Sequence, residues 1–125
     1  MTGLTLDSGA LIAFERGDRR MLALVVRARD RGDTLSVPAG VVGQVWRDGR
    51  RQARLSRLLA SKVVEIEVLD DYRARAAGQL CGITKTRDVI DASVVICARA
   101  RQQPVASSDP KDLMRLDPAL SVVRI

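Results

Sequence analysis

Gly3-Leu4-Thr5-Leu6-Asp7 is the stretch on which the reading of this chain turns. Gly3 to Leu6 is a short, largely apolar run of the kind that forms a buried strand, and Asp7 stands at its C-terminal end. Open α/β sheets build their sites at the C-terminal ends of their strands, so a carboxylate placed there marks a candidate site. Working outward, Ser8 to Glu15 reads as a short helix closed by Gly17. Asp18 caps a second helix reaching about Arg31, with Leu22, Val25, Val26 and Arg29 at helical spacing and Gly32 as its stop.

The alternation continues to the end of the chain. Thr34 to Val37 is a second strand, and Pro38 suits the first position of a third helix running to Trp46. Gly49 breaks that helix, and a basic helix follows from about Arg51 to Ala60 with Leu55, Leu58 and Leu59 on its apolar side. Lys62 to Val68 reads as a third strand near a sheet edge. Asp70 caps a helix ending at Gly82, Thr84 to Thr86 form a loop, and a helix from about Asp88 to Arg101 turns Val89, Ile90, Val94 and Cys97 inward. Val105-Ala106 is a short strand, Pro110 opens a small helix, and Val122 to Ile125 is the last strand. Strands alternating with helices predict an α/β fold with a mostly parallel sheet in three layers.

Length and composition fit that plan. A chain of 125 residues suits one domain, 1–125, with one core, and 46% apolar residues can fill it. Aromatics are only 2%, so the interior is built from Leu, Val, Ile and Ala. Charged residues reach 29% without a long block of one sign, which argues against disorder. Cys81 and Cys97 are isolated and sit in apolar helical patterns, so they read as buried free thiols of a reducing compartment. No basic segment followed by a long apolar run opens the chain, and no stretch reaches membrane-spanning length. The expected location is the cytoplasm, with no membrane partner.

The net charge is +6, from 21 Lys and Arg against 15 Asp and Glu. That bias favours anionic partners, nucleic acid first, though it also suits a basic protein with no such role. Arg47, Arg50, Arg51 and Arg54 form a basic segment able to track a phosphate backbone or to serve as a solvated helix face. Trp46, the sole tryptophan, reads as core or interface rather than as a platform for stacked bases.

The acids carry the chemistry. Asp7 ends the first strand and Asp109 follows the fourth. Asp91 lies in the first turn of the helix that precedes the fourth strand, with Asp88 three residues earlier. Should the first and fourth strands flank the point where strand order reverses, these carboxylates share one crevice. Two carboxylates ~4 Å apart repel by ~4 kcal/mol at an effective dielectric of ~20, so such a set takes up protons or binds a cation. The chain holds no histidine. Hard oxygen donors alone select Mg²⁺ or Mn²⁺ over zinc. Such an ion polarises a phosphoryl oxygen and lowers the pKa of water, the chemistry of phosphodiester hydrolysis. Ser8 and Ser107 flank the acids and can orient water. Each acid also has a plainer reading. Asp7 and Asp109 can cap helices, and Asp88 and Asp91 can complement a helix dipole.

Three segments together resemble a known family: Leu6-Asp7-Ser8-Gly9-Ala10-Leu11-Ile12-Ala13, Asp88-Val89-Ile90-Asp91-Ala92, and Val105-Ala106-Ser107-Ser108-Asp109. In order and spacing they resemble the PIN-domain ribonucleases, with most likeness to the VapC toxins of type II toxin–antitoxin systems, over essentially the whole chain. The resemblance implies a five-stranded parallel sheet in the order 3-2-1-4-5. It also implies a Mg²⁺- or Mn²⁺-dependent endoribonuclease that acts as a toxin, pairs as a homodimer and is inhibited by a VapB-like antitoxin covering the site. Asp7, Asp91 and Asp109 match the family's acids, and Asp88 matches an acid found in part of it. PIN domains commonly carry a glutamate on the helix after the second strand. Gln44 stands there instead, able to hold water or an ion through its amide oxygen but adding no charge.

Two other functions compete. A PIN-like protein that binds RNA or an antitoxin without cutting follows if Gln44 weakens the metal site. A phosphoacceptor receiver domain is disfavoured, because it needs an aspartate ending the third strand and a lysine ending the fifth. Here the third strand runs through Glu65 and Glu67, and the fifth reads Val122-Val123-Arg124-Ile125.

Overall fold

The computed structural model describes residues 3–125. In chain order the elements are β1 (Gly3–Leu6), α1 (Ser8–Glu15), α2 (Arg19–Arg31), β2 (Thr34–Pro38), α3 (Ala39–Val45) and α4 (Ala53–Ala60). Then come β3 (Val64–Glu67), α5 (Asp71–Thr84), α6 (Val89–Arg101), β4 (Val105–Ser107), α7 (Lys111–Leu116) and β5 (Val122–Arg124). All strand pairs are parallel, and the sheet order is β3-β2-β1-β4-β5. The order reverses between β1 and β4, where Leu6 pairs with Ala106.

Helices flank this sheet. α6 lies across β1, β2 and β4 and against α5, while α2 packs on β2 and α4 on β3. Leu6, Leu35, Val37 and Val105 from the sheet and Leu11, Met21, Leu55, Val94 and Val95 from the helices are fully buried. β3, an edge strand as expected, is tied down by charge. Glu67 meets Arg73 of α5 at 3.4 Å and Arg101 of α6 at 3.3 Å, and Arg101 also reaches Glu65 at 3.0 Å. Cys81 and Cys97 are buried free thiols, and burial, reinforced by Glu67, pushes the Cys97 thiol up to about 12. No helix among the described residues is long and apolar enough to cross a membrane.

Several boundaries differ from the sequence expectation, each for a physical reason. Pro38 is not the first residue of α3. It ends β2, paired with Glu67, and occupies the N-cap position, because its φ of -61° serves either conformation. α4 begins at Ala53 rather than Arg51, because Gln52 is buried and used elsewhere. Its Oε1 accepts the N–H groups of Arg47 and Asp48 at 2.7 and 2.9 Å, and its Nε2 donates to the Val45 carbonyl at 2.8 Å. α5 runs through Gly82 to Thr84 and ends on Lys85 in a left-handed conformation. Val89 and Val26 face outward, leaving Met21 and Ala28 as the buried positions of α2.

Candidate active site

Adjacency of β1 and β4 brings the two strand-end acids together, and Ser107 links them. Its hydroxyl donates to the Asp7 carboxylate and accepts the backbone N–H of Asp109 at 3.2 Å. Asp7 also performs the capping role open to it, since Oδ1 accepts the Ala10 N–H at 2.9 Å. Asp88 likewise caps α6, accepting the Asp91 N–H at 2.9 Å. Asp109 does not hold the N-cap of α7, contrary to the capping alternative. Pro110 occupies that position, and the Asp109 carboxylate makes only a long 3.5 Å contact with the Lys111 N–H.

These acids line a single open cleft of about 260 Å³ at the C-terminal edge of the sheet. Asp7, Asp88, Asp91 and Asp109 are joined there by Gln44 and by a fifth acid, Asp112. Ser8, Gly9 and Ser108 complete the same wall, whereas Ser107 is fully buried behind it. Gly9 has a steric role. A Cβ at this position would meet the Ser108 Oγ, so glycine leaves that hydroxyl its place beside the start of α1. Sequence reasoning misses Asp112, although it stands three residues after Asp109 in Asp109-Pro110-Lys111-Asp112, a spacing that stacks two acids on one helical face.

Electrostatics mark the cleft. Burial raises the Asp7 carboxyl above its ordinary value, opposed by the Ser107 hydroxyl and by nearby backbone N–H groups. Asp91 is pushed up to about 6, first by burial and then by the negative charges of Asp88, Asp112 and Asp7. Convergent carboxylates with no nitrogen or sulfur donor suit a hard divalent cation by donor type. Among the described residues, however, no three acids lie close enough together to hold a metal ion as they stand. Two of the carboxylates, Asp7 and Asp88, each accept a backbone N–H at their own helix N-terminus.

The basic segment is elsewhere. Arg47 Nη1 donates to the Gly43 and Trp46 carbonyls, Arg51 leans 3.9 Å from Asp48, and Arg54 Nη1 donates to the Glu15 carbonyl. Arg47, Arg50 and Arg51 lie in the α3–α4 connection rather than on one helix face, and none of the four lines the acid cleft. Trp46 is partly exposed and lies over Gly49. Two larger hollows, of about 550 and 590 Å³, lie along α2 and are lined by arginines and apolar side chains without convergent acids.

No protein-family model and no curated protein matches the chain. Solved structures do. One, titled a toxin-antitoxin complex from Klebsiella pneumoniae, superposes with a TM-score of 0.70 at 16% identity, covering 98% of this chain and 100% of that one. The crystal structure of FitAcB from Neisseria gonorrhoeae gives 0.66 at 16% identity over 97% of this chain and 96% of its own. FitAB bound to the IR36 DNA fragment gives 0.66 at 15% identity over 97% and 94%. All three share this chain's fold. The sheet order and flanking helices are those that the PIN-domain resemblance led one to expect.

Proposed function

We propose that this chain is a metal-dependent endoribonuclease of the PIN type, acting as the toxin of a toxin–antitoxin pair. The observation that carries the reading is the convergence of five carboxylates, from separate stretches of chain, on one cleft at the point where strand order reverses. The rise at Asp91, from burial first and then from its acidic neighbours, supports it, because strongly perturbed acids in a cleft cluster at functional sites. The toxin role and an antitoxin partner draw support from the similar structures, one of which is titled a toxin-antitoxin complex. A VapB-like antitoxin and a homodimeric state are what the sequence resemblance to VapC toxins implies, and action in the cytoplasm is part of the same proposal. The two buried free thiols suit that compartment.

In this reading Asp7, Asp91 and Asp109 would hold Mg²⁺ or Mn²⁺, and Asp88 and Asp112 would add charge to the same cleft. Such an ion would supply Lewis-acid polarisation of a phosphoryl group and offset the charge of acids and substrate. The protein's own groups orient the reactants. Ser107 fixes the Asp7 carboxylate from behind, and the Ala10 N–H holds it from the side. Gln44 offers a neutral amide in the cleft that can hold water or a phosphoryl oxygen without adding charge.

Incubating purified protein with single-stranded RNA tests the reading. Cleavage with Mg²⁺ or Mn²⁺, its loss in EDTA and its loss in Asp7→Asn are expected; metal-independent cleavage by a folded Asp7→Asn would refute it. Gln44 favours one alternative, a protein that binds RNA or antitoxin without cutting. That alternative predicts RNA binding without metal binding near millimolar concentration, and cleavage gained by Gln44→Glu.

A further inference from the structure

A second hollow adjoins the acid cleft and sets three cations beside acids that the two share. It measures about 210 Å³ and is lined by Lys85 and Arg87 from the α5–α6 connection and by Arg115 from α7. Asp88, Asp91 and Asp112 line both hollows, so the three acids form the ridge between them. We propose that this basic hollow holds an RNA phosphate next to the scissile one, and so sets how the strand lies across the acids. The inference rests on the RNA-cleaving reading for what happens at the neighbouring acids.

Three observations carry it. First, none of the three cations is in an ion pair among the described residues, although three carboxylates line the same hollow. Their charge is left for something else. Second, the connection bearing two of them is held in place. Lys85 caps α5 with φ 57°, and its N–H and that of Thr86 both donate to the Cys81 carbonyl. The Thr84 hydroxyl bonds the Leu80 carbonyl at 2.8 Å and lies 3.0 Å from the Thr86 hydroxyl, while the Cys81 thiol donates to the Asp88 carbonyl. A cation site ordered before binding loses little freedom when a phosphate arrives. Third, the charges alternate along the surface. A polyanion crossing five carboxylates needs a cationic anchor beside them, and the two hollows supply that pattern one after the other. An acidic peptide lacks the regular run of phosphates that would let one strand reach both halves at once. RNA, whose cut phosphate shares the acid half with a cation, fits both halves.

Binding to a fluorescein-labelled single-stranded RNA in the Asp7→Asn background keeps the strand whole and tests the inference. Fluorescence anisotropy across a salt series should show Arg87→Gln/Arg115→Gln binding at least ~10-fold more weakly. The slope of log Kd against log salt should fall by roughly 0.7 for each phosphate that the variant no longer neutralises. Arg20→Gln/Arg27→Gln, on α2, serves as the control for net charge and should change neither quantity by a comparable amount. Equal losses in both pairs, unchanged affinity in the Arg87/Arg115 pair, or no RNA binding at all would overturn the inference. So would intact RNA affinity in the Arg87/Arg115 pair together with weakened binding of an acidic antitoxin peptide. With Asp7 restored, the cleavage assay reads the catalytic proposal separately. RNA binding that depends on Arg87 and Arg115 without cleavage sinks only the nuclease. Cleavage with an unchanged KM in the double variant sinks only this hollow.

Discussion

Replacing Asp91 with asparagine should stabilise the metal-free protein while removing its activity. In the folded chain Asp91 holds its proton to about pH 6, against an ordinary value of 3.8, because it is buried and faces Asp88, Asp112 and Asp7. The native state therefore binds more protons than the unfolded state between about pH 4 and 6, and stability falls as pH rises through that window. The full difference corresponds to ~3 kcal/mol at ~1.4 kcal/mol per tenfold change. Asp91 is only half-buried, and solvent screening reduces the expected effect to ~1–2 kcal/mol. Asparagine keeps the shape and can donate to Asp88 but never ionises. In EDTA at pH 7.5 the variant should melt about 3–8 °C above the parent, the range ~1–2 kcal/mol gives for a chain of this size. Near pH 4 the two should melt together. Thermal unfolding followed by circular dichroism at both pH values reads this directly. A variant no more stable than the parent at pH 7.5, or a difference independent of pH, would refute the claim that folding disfavours the Asp91 carboxylate.

Other changes separate fold from chemistry. Asp7→Asn keeps an acceptor for the Ala10 N–H, so its melting temperature should stay within a few degrees while RNA cleavage drops at least ~100-fold in a gel assay. Gln44→Glu adds the charge the cleft lacks and should lower the Mg²⁺ or Mn²⁺ concentration giving half-maximal cleavage, read from a metal titration. Gln52→Ala strands the Arg47 and Asp48 N–H groups and the Val45 carbonyl and should cost ~2–4 kcal/mol in urea unfolding, although Gln52 lies outside the cleft.

What can be read in the sequence is what local pattern determines. β1 with its terminal Asp7, the glycine stop of α2, and the first turn of α6 with Asp88 and Asp91 all rest on neighbouring residues. The pairing of β1 with β4 does not. Alternation predicts a parallel sheet, while the order that puts Asp7 beside Asp109 comes from family resemblance, because strand pairing is set between residues about a hundred positions apart. Boundaries fail where tertiary packing overrides local preference. Gly82 stays helical because a glycine costs only ~1 kcal/mol and α5 is packed along α6. Arg51 falls outside α4 because the buried Gln52 side chain ties up the preceding turn.

The site is legible in its acids and less so in its bases. Asp7, Asp88, Asp91 and Asp109 meet in one cleft with Gln44, but Asp112 reads in sequence as a residue that merely suits a helix start. The arginines that stand densest in sequence, from Arg47 to Arg54, line neither hollow. Lys85, Arg87 and Arg115, scattered in sequence, gather beside the acids. Charge density along the chain reports solvation as readily as function, and only folding decides which cations face the cleft.

Manganese binding followed by electron paramagnetic resonance puts the central claim to its most direct test. The parent protein should bind Mn²⁺ at or below millimolar concentration with release of protons, and Asp7→Asn, Asp91→Asn and Asp109→Asn should each weaken binding at least tenfold while staying folded. Binding that is equal in all four proteins would mean that these carboxylates do not act together on one ion.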